Sequence, residues 1–258
     1  MNWNIANKTV INGPVITSSN LQEIGNAIIV APHPDDESLA CGATIGLLRK
    51  NGFAVKVIFI TDGTMSHPNS KSFPSESLRR LREQEGKKAL AILNVNPDEV
   101  HFMCLPDSKV GSLSAANLSK ASKILEDYII GFRPKTIFLP WRKDPHPDHI
   151  ASWHLSQHAM NEVYNDFNFQ ARVLEYPVWF LERGTDELAQ ENSITLWKVK
   201  TSETLLDKKK AIGAHASQLG LIIHDDPQGF ALSNEMLEKF YQPEEPFFEY
   251  CNVSTSVL

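Results

Sequence analysis

The stretch NAIIVAPHPDDESLACGATIGLLRKNGFAVKVIFIT, residues 26–61, decides the fold of this chain. It begins and ends with short β-branched runs, Asn26 to Ala31 and Val55 to Thr61, whose lack of polar alternation predicts parallel strands covered on both faces. Residues 37–51 carry apolar side chains at helical spacing and end at Asn51-Gly52, which is typical of a helix stop. The stretch therefore predicts one strand-helix-strand unit.

The same alternation of strands and helices continues along the chain. Further helices are predicted around residues 75–93, 113–130, 148–163, 205–215 and 236–241. Further strands are predicted around residues 100–105, 136–139, 173–180 and 194–199. This pattern indicates an α/β protein with a mostly parallel sheet and helices on both faces. The polar loop 63–75 is predicted to form a mobile rim over a site.

Composition limits the classes of partner. The 25 basic and 31 acidic side chains give a net charge of −6 without a long basic run, so we expect no nucleic acid partner. Apolar runs fall far short of the roughly 20 residues that a membrane span needs, and residues 1–10 lack a secretory pattern. We therefore expect a cytoplasmic protein; its oligomeric state, a homo-oligomer included, stays open.

The three cysteines have no Cys-x-x-Cys spacing, which argues against a disulfide framework and against a thiolate zinc site. A metal would have to use histidine and carboxylate ligands. The sequence also lacks a Gly-x-Ser-x-Gly elbow, a phosphate-binding loop of the Gly-x-x-x-x-Gly-Lys type and a His-Glu-x-x-His helix. Three common catalytic templates are therefore excluded.

The segment His33-Pro-Asp-Asp36 follows the first predicted strand and opens the first predicted helix. Ligands of open parallel sheets bind outside the carboxyl ends of the strands. With Pro34 in the first turn, His33 and Asp36 are three residues apart and converge on one point, whereas Asp35 projects differently. One carboxylate is then available for a metal while its neighbour stays free.

The segment His146-Pro-Asp-His149 has the same relation to the predicted strand 136–139, so we expect it at the same edge of the sheet. His33, Asp36 and His149 would make a set of two imidazoles and one carboxylate. Catalytic zinc sites typically have three protein ligands and leave the fourth position to water, whose pKa the metal lowers to about 7. A single His-Pro-Asp segment is often only a capped turn. Two of them after two predicted strands favour a shared site.

At these residues the chain resembles the PIG-L/LmbE-type zinc-dependent N-acetylglucosamine deacetylases. The resemblance covers Ile28 to Asp62 and then runs through the following segments: Arg82 to Leu93, Pro106-Asp107, Asp144-Pro-His-Pro-Asp-His149 and, more weakly, Lys210 to Gln218. It implies a Rossmann-like three-layer α/β fold over residues 1–258 as one domain. It also implies a small N-acetylated amino sugar as substrate.

The resemblance implies a role for each residue of the motifs. The zinc ligands would be His33, Asp36 and His149. Asp35 would act as general base on the attacking water. His146 would stabilise or protonate the tetrahedral intermediate, and a hydrogen bond from its ring to the Asp148 carboxylate would orient it and raise its pKa. The substrate-binding residues would be Arg82, Asp107 and His215.

The region from about residue 164 to 258 matches the family less well, and we expect it to specify the substrate. Trp141 and Trp179 are candidates for a sugar-stacking wall, although a buried tryptophan is the commoner outcome. Two other functions stay open. One is a zinc amidohydrolase or esterase for a non-sugar acyl substrate, and the other is a catalytically silent protein that binds sugar or metal. The free carboxylate of Asp35 argues against the silent alternative.

Overall fold

The computed structural model describes residues 10–179 and 194–250. Their strands are β1 (Val10–Ile16), β2 (Ala27–Ala31), β3 (Val55–Thr61), β4 (Val100–Leu105), β5 (Thr136–Pro140), β6 (Arg172–Tyr176), β7 (Ile194–Lys200) and β8 (Glu244–Tyr250). Their α-helices are α1 (Asp36–Lys50), α2 (Ser75–Ile92), α3 (Ala115–Phe132), α4 (Pro147–Phe167), α5 (Leu205–Ala214) and α6 (Asn234–Phe240). The expected α/β class is confirmed.

All eight strands belong to one sheet in the order β1-β7-β8-β6-β5-β2-β3-β4. The pairing is parallel except for β8, which runs antiparallel to β6 and β7. From β2 the chain proceeds outward to β3 and β4, and it then returns to place β5 on the other side of β2. The order of the strands therefore reverses between β2 and β5, and ligands of such sheets bind at this crevice.

Helices cover both faces of the sheet. Ile28 and Val30 of β2 face the layer of α3 and α4, whereas Ile29 and Ala31 belong to the core on the other side. Every residue of β2 is buried because alternate side chains enter the two cores. This explains why the strand has no polar alternation, and it confirms the three-layer arrangement.

Helix α1 is buried along its first thirteen residues, so its surroundings must satisfy any polar group there. The Glu245 carboxylate of β8 accepts hydrogen bonds from the Ala43 and Thr44 amides at 3.0 and 2.8 Å. The same carboxylate pairs with Lys208 Nζ of α5 at 2.7 Å, and both side chains are buried. Elements from the C-terminal part thus fix the helix that begins at Asp36.

Two strands were not predicted from the sequence. β1 contains Gly13 and Pro14, and its pairing with β7 shifts register between Asn12 and Val15. β8 contains Pro246. Proline is tolerated at sheet edges and bulges, and β1 is an edge strand. The predicted strand 173–180 ends at Tyr176, and Phe180 lies outside the described residues.

Among the described residues, no helix is both long and apolar enough to cross a membrane.

Candidate active site

The two His-Pro-Asp segments meet at the crevice between β2 and β5. β2 ends at Ala31 and β5 at Pro140, and the two strands pair in parallel, so both segments leave the sheet at the same edge. The imidazole ring centroids of His33 and His149 are 5.5 Å apart, and those of His146 and His149 are 5.1 Å apart. The expected convergence of the two segments is confirmed.

Asp36 lies between the imidazoles of the two segments. Its Oδ2 atom is 3.2 Å from His33 Nδ1 and 3.2 Å from His149 Nε2. Burial opposes ionisation of this carboxyl, but His149 and His33 outweigh burial and hold its pKa well below the usual range. Asp36 is thus an anion enclosed with two imidazoles.

His149 shows that these residues fit a metal ion. Both of its ring nitrogens are buried, and neither forms a hydrogen bond in the part of the chain described, although Asp36 stands 3.2 Å from Nε2. Donor atoms around a tetrahedral zinc with bonds of about 2.0–2.1 Å lie about 3.3 Å apart. The spacing of Asp36 and His149 matches this value, so the residues fit a divalent metal.

His33 belongs to two further groups of potential metal ligands. Nitrogen atoms of His33, His146 and His149 all lie within 4.8 Å of one another. His33 Nε2 also lies 3.4 Å from Asp107 Oδ1 and 3.4 Å from Asp148 Oδ2. The cluster therefore offers one site with more potential ligands than a zinc ion uses.

Asp35 lies beside the cluster and lines the cavity above it. Its backbone has φ 155° and ψ −30°, outside the regions that L-residues favour, and such strain is found mainly at functional sites. Its amide donates to Glu37 Oε2 at 3.0 Å, and its carboxylate Oδ1 is 3.3 Å from Arg82 Nη2. Burial raises the pKa of this carboxyl to about 6, against the opposing charge of Arg82.

His146 and Asp148 differ from the expected arrangement. The backbone amide of Asp148, not its carboxylate, meets His146, and it donates to Nδ1 at 3.2 Å. The Asp148 carboxylate accepts instead from the Ser108 amide at 2.6 Å and faces His33. Burial, together with the nearby His33 and His149, lowers the pKa of His146 to about 4. The expected increase in this pKa is therefore wrong.

Asp144 begins the segment Asp144-Pro-His-Pro-Asp-His149, but the sequence did not indicate a role for it. Its Oδ1 atom is 3.4 Å from His149 Nδ1. Its Oδ2 atom accepts from the amides of Val178 and Trp179 at 3.1 and 3.0 Å. A carboxylate on the far nitrogen of a metal-binding imidazole fixes its ring orientation and tautomer. The sequence feature that could have indicated this role is the position of Asp144, two residues before His146.

The three expected substrate-binding residues have different surroundings. Arg82 lines the cavity, but its guanidinium donates to the carbonyl oxygens of Gly63 and Pro34 at 2.7 and 2.8 Å. Asp107 also lines the cavity, and it accepts from the Met65 amide at 2.8 Å. His215 is not among the lining residues. It is 1 % exposed and lies 3.0 Å from a carboxylate oxygen of Glu37, so its assignment to substrate stays a prediction that these contacts do not support.

A cavity of about 250 Å³ opens over the cluster. The end nearest the histidines is lined by polar side chains: His33, Asp35, Asp36, Arg82, Asp107, Ser108 and His146. Most of the remaining lining is apolar and comes from the weakly matched part of the chain: Val178, Trp179, Phe230, Leu232, Met236 and Phe240. Of these residues, Trp179 alone was predicted from the sequence to contact a ligand, because neither the loops nor the short helix α6 shows in its sequence which side chains face a cavity. Trp141 is fully buried and bonded to Tyr250, which excludes it from stacking on a ligand.

The loop 63–75 forms part of the rim, since Met65 and Ser66 line the cavity. The adjacent residues Asp225 and Asp226 hold this loop through hydrogen bonds. The Asp225 carboxylate accepts from Ser70 Oγ and from the Lys71 and Ser72 amides, at 2.7 to 2.8 Å. Asp226 accepts from the Asn69 amide at 2.9 Å. The position of this rim was predicted, but its expected mobility conflicts with these bonds.

Fold and site together define an amide hydrolase of the N-deacetylase class. Residues 28–160 match the family model described as PIG-L: GlcNAc-PI de-N-acetylase, and the chain belongs to this family. It is 25% identical over 233 residues to the probable N-acetyl-alpha-D-glucosaminyl L-malate deacetylase 2 of Bacillus anthracis, covering 87% of this chain and 95% of that protein.

Solved structures share the fold. The N,N'-diacetylchitobiose deacetylase of Pyrococcus horikoshii aligns with a TM-score of 0.63 at 19% identity, over 92% of this chain and 90% of that one. The 4-carboxy-2-hydroxymuconate hydratase of Pseudomonas putida aligns equally well, with a TM-score of 0.63 at 17% identity over 91% and 100% of the two chains. Because that enzyme has a different activity, the fold alone does not fix the reaction.

Proposed function

We propose that the protein removes the acetyl group from the amide nitrogen of an N-acetylglucosamine-like substrate. The observation that carries this proposal is the position of Asp36 Oδ2, 3.2 Å from both His33 Nδ1 and His149 Nε2, beside the second carboxylate of Asp35. A site for a divalent metal and an adjacent base are the two parts that metal-assisted hydrolysis of an amide uses. Family membership supports the same reaction.

His33, Asp36 and His149 would hold the metal, and zinc suits two imidazoles and one carboxylate. When bound, such an ion lowers the pKa of a water at the site to about 7 and polarises the acyl carbonyl. Asp144 contacts the far nitrogen of His149, and Asp107 and Asp148 contact the far nitrogen of His33. These carboxylates keep both imidazoles turned towards Asp36.

Asp35 accepts the proton of the water that attacks the acyl carbon. Its carboxylate lines the cavity but makes no hydrogen bond to His33 or His149 among the described contacts, so it is available as a base. Arg82 holds it in place, because the guanidinium binds the Pro34 carbonyl and faces the carboxylate. The proton held by Asp35 then passes to the leaving amine as the carbon-nitrogen bond breaks.

His146 stabilises the charge that develops on the acyl oxygen. Its Nδ1 accepts the Asp148 amide hydrogen, so the neutral ring carries its own hydrogen on Nε2. A neutral imidazole is therefore a fixed donor, and such donors stabilise an oxyanion without changing their charge. This role replaces the protonated His146 that was expected from the sequence.

The test is hydrolysis of a panel of N-acetylglucosaminides by the metal-loaded protein, with the free amine detected by a fluorogenic reagent. Asp35→Asn is the matched control, because it retains the shape of the side chain and removes the base. Release of amine by the wild-type protein and not by the variant supports the proposal. Hydrolysis of acyl esters or non-sugar amides alone would favour the other amidohydrolase, and binding without turnover would favour a silent protein. Zinc and the cytoplasmic location stay predictions, and the oligomeric state stays open.

A further inference from the structure

We infer that the part of the cavity farthest from the catalytic histidines binds an apolar group on the aglycone of the substrate, an alkyl chain or an aryl ring. This inference rests on the proposed function, because an acetyl group contributes only one methyl group and leaves the remainder of the cavity to the rest of the substrate. The apolar wall is defined here as Trp179, Phe230, Leu232, Met236 and Phe240.

The apolar wall begins directly at the reaction centre. The Trp179 ring stacks on His146 at 6.1 Å between centroids with an interplanar angle of 26°. The Trp179 ring also meets Phe230 edge to face, at 5.4 Å between centroids. Apolar surface is thus continuous from the catalytic imidazole outward, which is the path that a substituent on the amino sugar would follow.

The wall is held in place before any ligand arrives. The Phe230 amide donates to the Ser66 carbonyl at 2.7 Å, and the Leu232 amide donates to the Gln218 carbonyl at 2.8 Å. Ser233 caps α6, its side chain accepting from the Met236 amide at 3.2 Å. Because hydrogen bonds hold the backbone that carries these side chains, binding loses little backbone conformational entropy.

Gln218, a polar residue of the cavity lining, suits a ligand that carries a hydroxyl group. Gln218 lines the cavity, and its Nε2 donates to Ser217 Oγ at 2.9 Å, which leaves its buried Oε1 without a hydrogen bond among the described residues. An unpaired buried acceptor favours a ligand that brings a hydroxyl donor. Apart from the indole N–H of Trp179, the side chains of the apolar wall offer a polyol no strong hydrogen-bonding group.

The experiment compares methyl, butyl, hexyl and phenyl glycosides of N-acetylglucosamine as substrates. Each methylene that enters the wall should raise kcat/KM about three- to fourfold, mainly through KM, because uniform binding lowers KM without changing kcat. In Phe230→Ala the ratio of kcat/KM between the hexyl and methyl glycosides should fall by about tenfold. Leu206→Ala, exposed on α5, is the matched control and should leave the ratio unchanged.

Two results would overturn the inference: equal kcat/KM along the glycoside series, or a preference that follows the length of the acyl chain in N-acyl glucosamine methyl glycosides. Failure of the proposed function would give a different result, because then none of the glycosides would release amine. In that case calorimetry with hexyl and methyl glucoside, which carry no acetamide, still tests the wall. Tighter binding of hexyl glucoside supports the inference, and equal binding of the two contradicts it.

Discussion

One carboxylate oxygen of Asp144 lies 3.4 Å from His149 Nδ1. The other accepts hydrogen bonds from the backbone amides of Val178 and Trp179, which line the cavity. One side chain therefore fixes both a metal-facing imidazole and the segment that carries Trp179. It is fully buried, so water cannot replace it in either contact.

We predict that Asp144→Asn weakens metal binding by about 10- to 100-fold, as expected for a carboxylate that orients a ligand without touching the metal. Competition titration with a chromogenic chelator measures the dissociation constant. Asp127→Asn, at an exposed position on α3, serves as the control. Unchanged affinity in Asp144→Asn would show that His149 keeps its orientation without this partner.

His149→Ala should abolish stoichiometric metal binding, whereas His146→Ala should retain the metal and lose activity. The loss for His146→Ala should lie in kcat, by about 10² to 10³ fold, because a donor to the developing oxyanion acts in the transition state. Elemental analysis and steady-state kinetics on both variants test this. Equal loss of metal in the two variants would instead assign the ion to His33, His146 and His149, whose nitrogens lie within 4.8 Å.

Asp35→Asn should bind metal as tightly as the wild-type protein and lose about 10² to 10⁴ fold in turnover, the contribution of a positioned general base. Metal content and kcat are measured on the same preparation. Turnover within a few-fold of the wild type would remove Asp35 from the reaction. Loss of metal would make it a ligand in place of Asp36.

Removing one partner of the buried Lys208–Glu245 pair should destabilise the fold by about 3–5 kcal/mol, because the remaining charge stays buried without its counter-ion. Lys208→Met is the variant, and urea unfolding measures the free energy. The exposed pair of Lys210 and Asp207 provides the comparison, since Lys210→Met should cost less than about 1 kcal/mol. Similar values for the two variants would mean that α1 does not depend on this pair.

The loop at the rim should open in acid. The Ser70 hydroxyl and the Ser72 and Lys71 amides hold the pKa of Asp225 below its usual value. A depressed folded-state pKa gives stability that is present above the unfolded pKa, about 3.9, and is lost as pH falls through the folded value.

Hydrogen exchange of the Lys71 and Ser72 amides, corrected for intrinsic rates, should therefore accelerate as the pH falls below about 4. In Asp225→Ala exchange should be fast at every pH, and Asp98→Ala, at an exposed position, should resemble the wild type. Slow exchange at pH 7 in Asp225→Ala would show that Asp226 and the Phe230 amide suffice to hold the loop.

The sequence predicted the parallel part of the sheet well because β2, β3 and β5 are covered on both faces and leave continuous apolar runs. It did not predict β1 and β8, since Gly13, Pro14 and Pro246 break the pattern by which a strand is recognised. Both strands depend on pairing with β7, which is a tertiary contact.

Within the site, the sequence predicted which residues converge but not how they bond to one another. Spacing along the chain brought His33, Asp36 and His149 together correctly. It could not show that Asp148 turns towards Ser108, because that contact joins the first turn of α4 to the loop after β4. Nor could it show that His215 contacts Glu37, which lies far away in sequence.

The pairing of β1 with β7 has a consequence during protein synthesis. Val10 pairs with Ile194, so the strand that leaves the ribosome first has its neighbour in the sheet only when a much later segment has been translated. At about 5–20 residues per second, that delay is about 10–40 s. Over that interval residues 10–16 have no partner strand, because β7 is the one strand of the described sheet that pairs with β1.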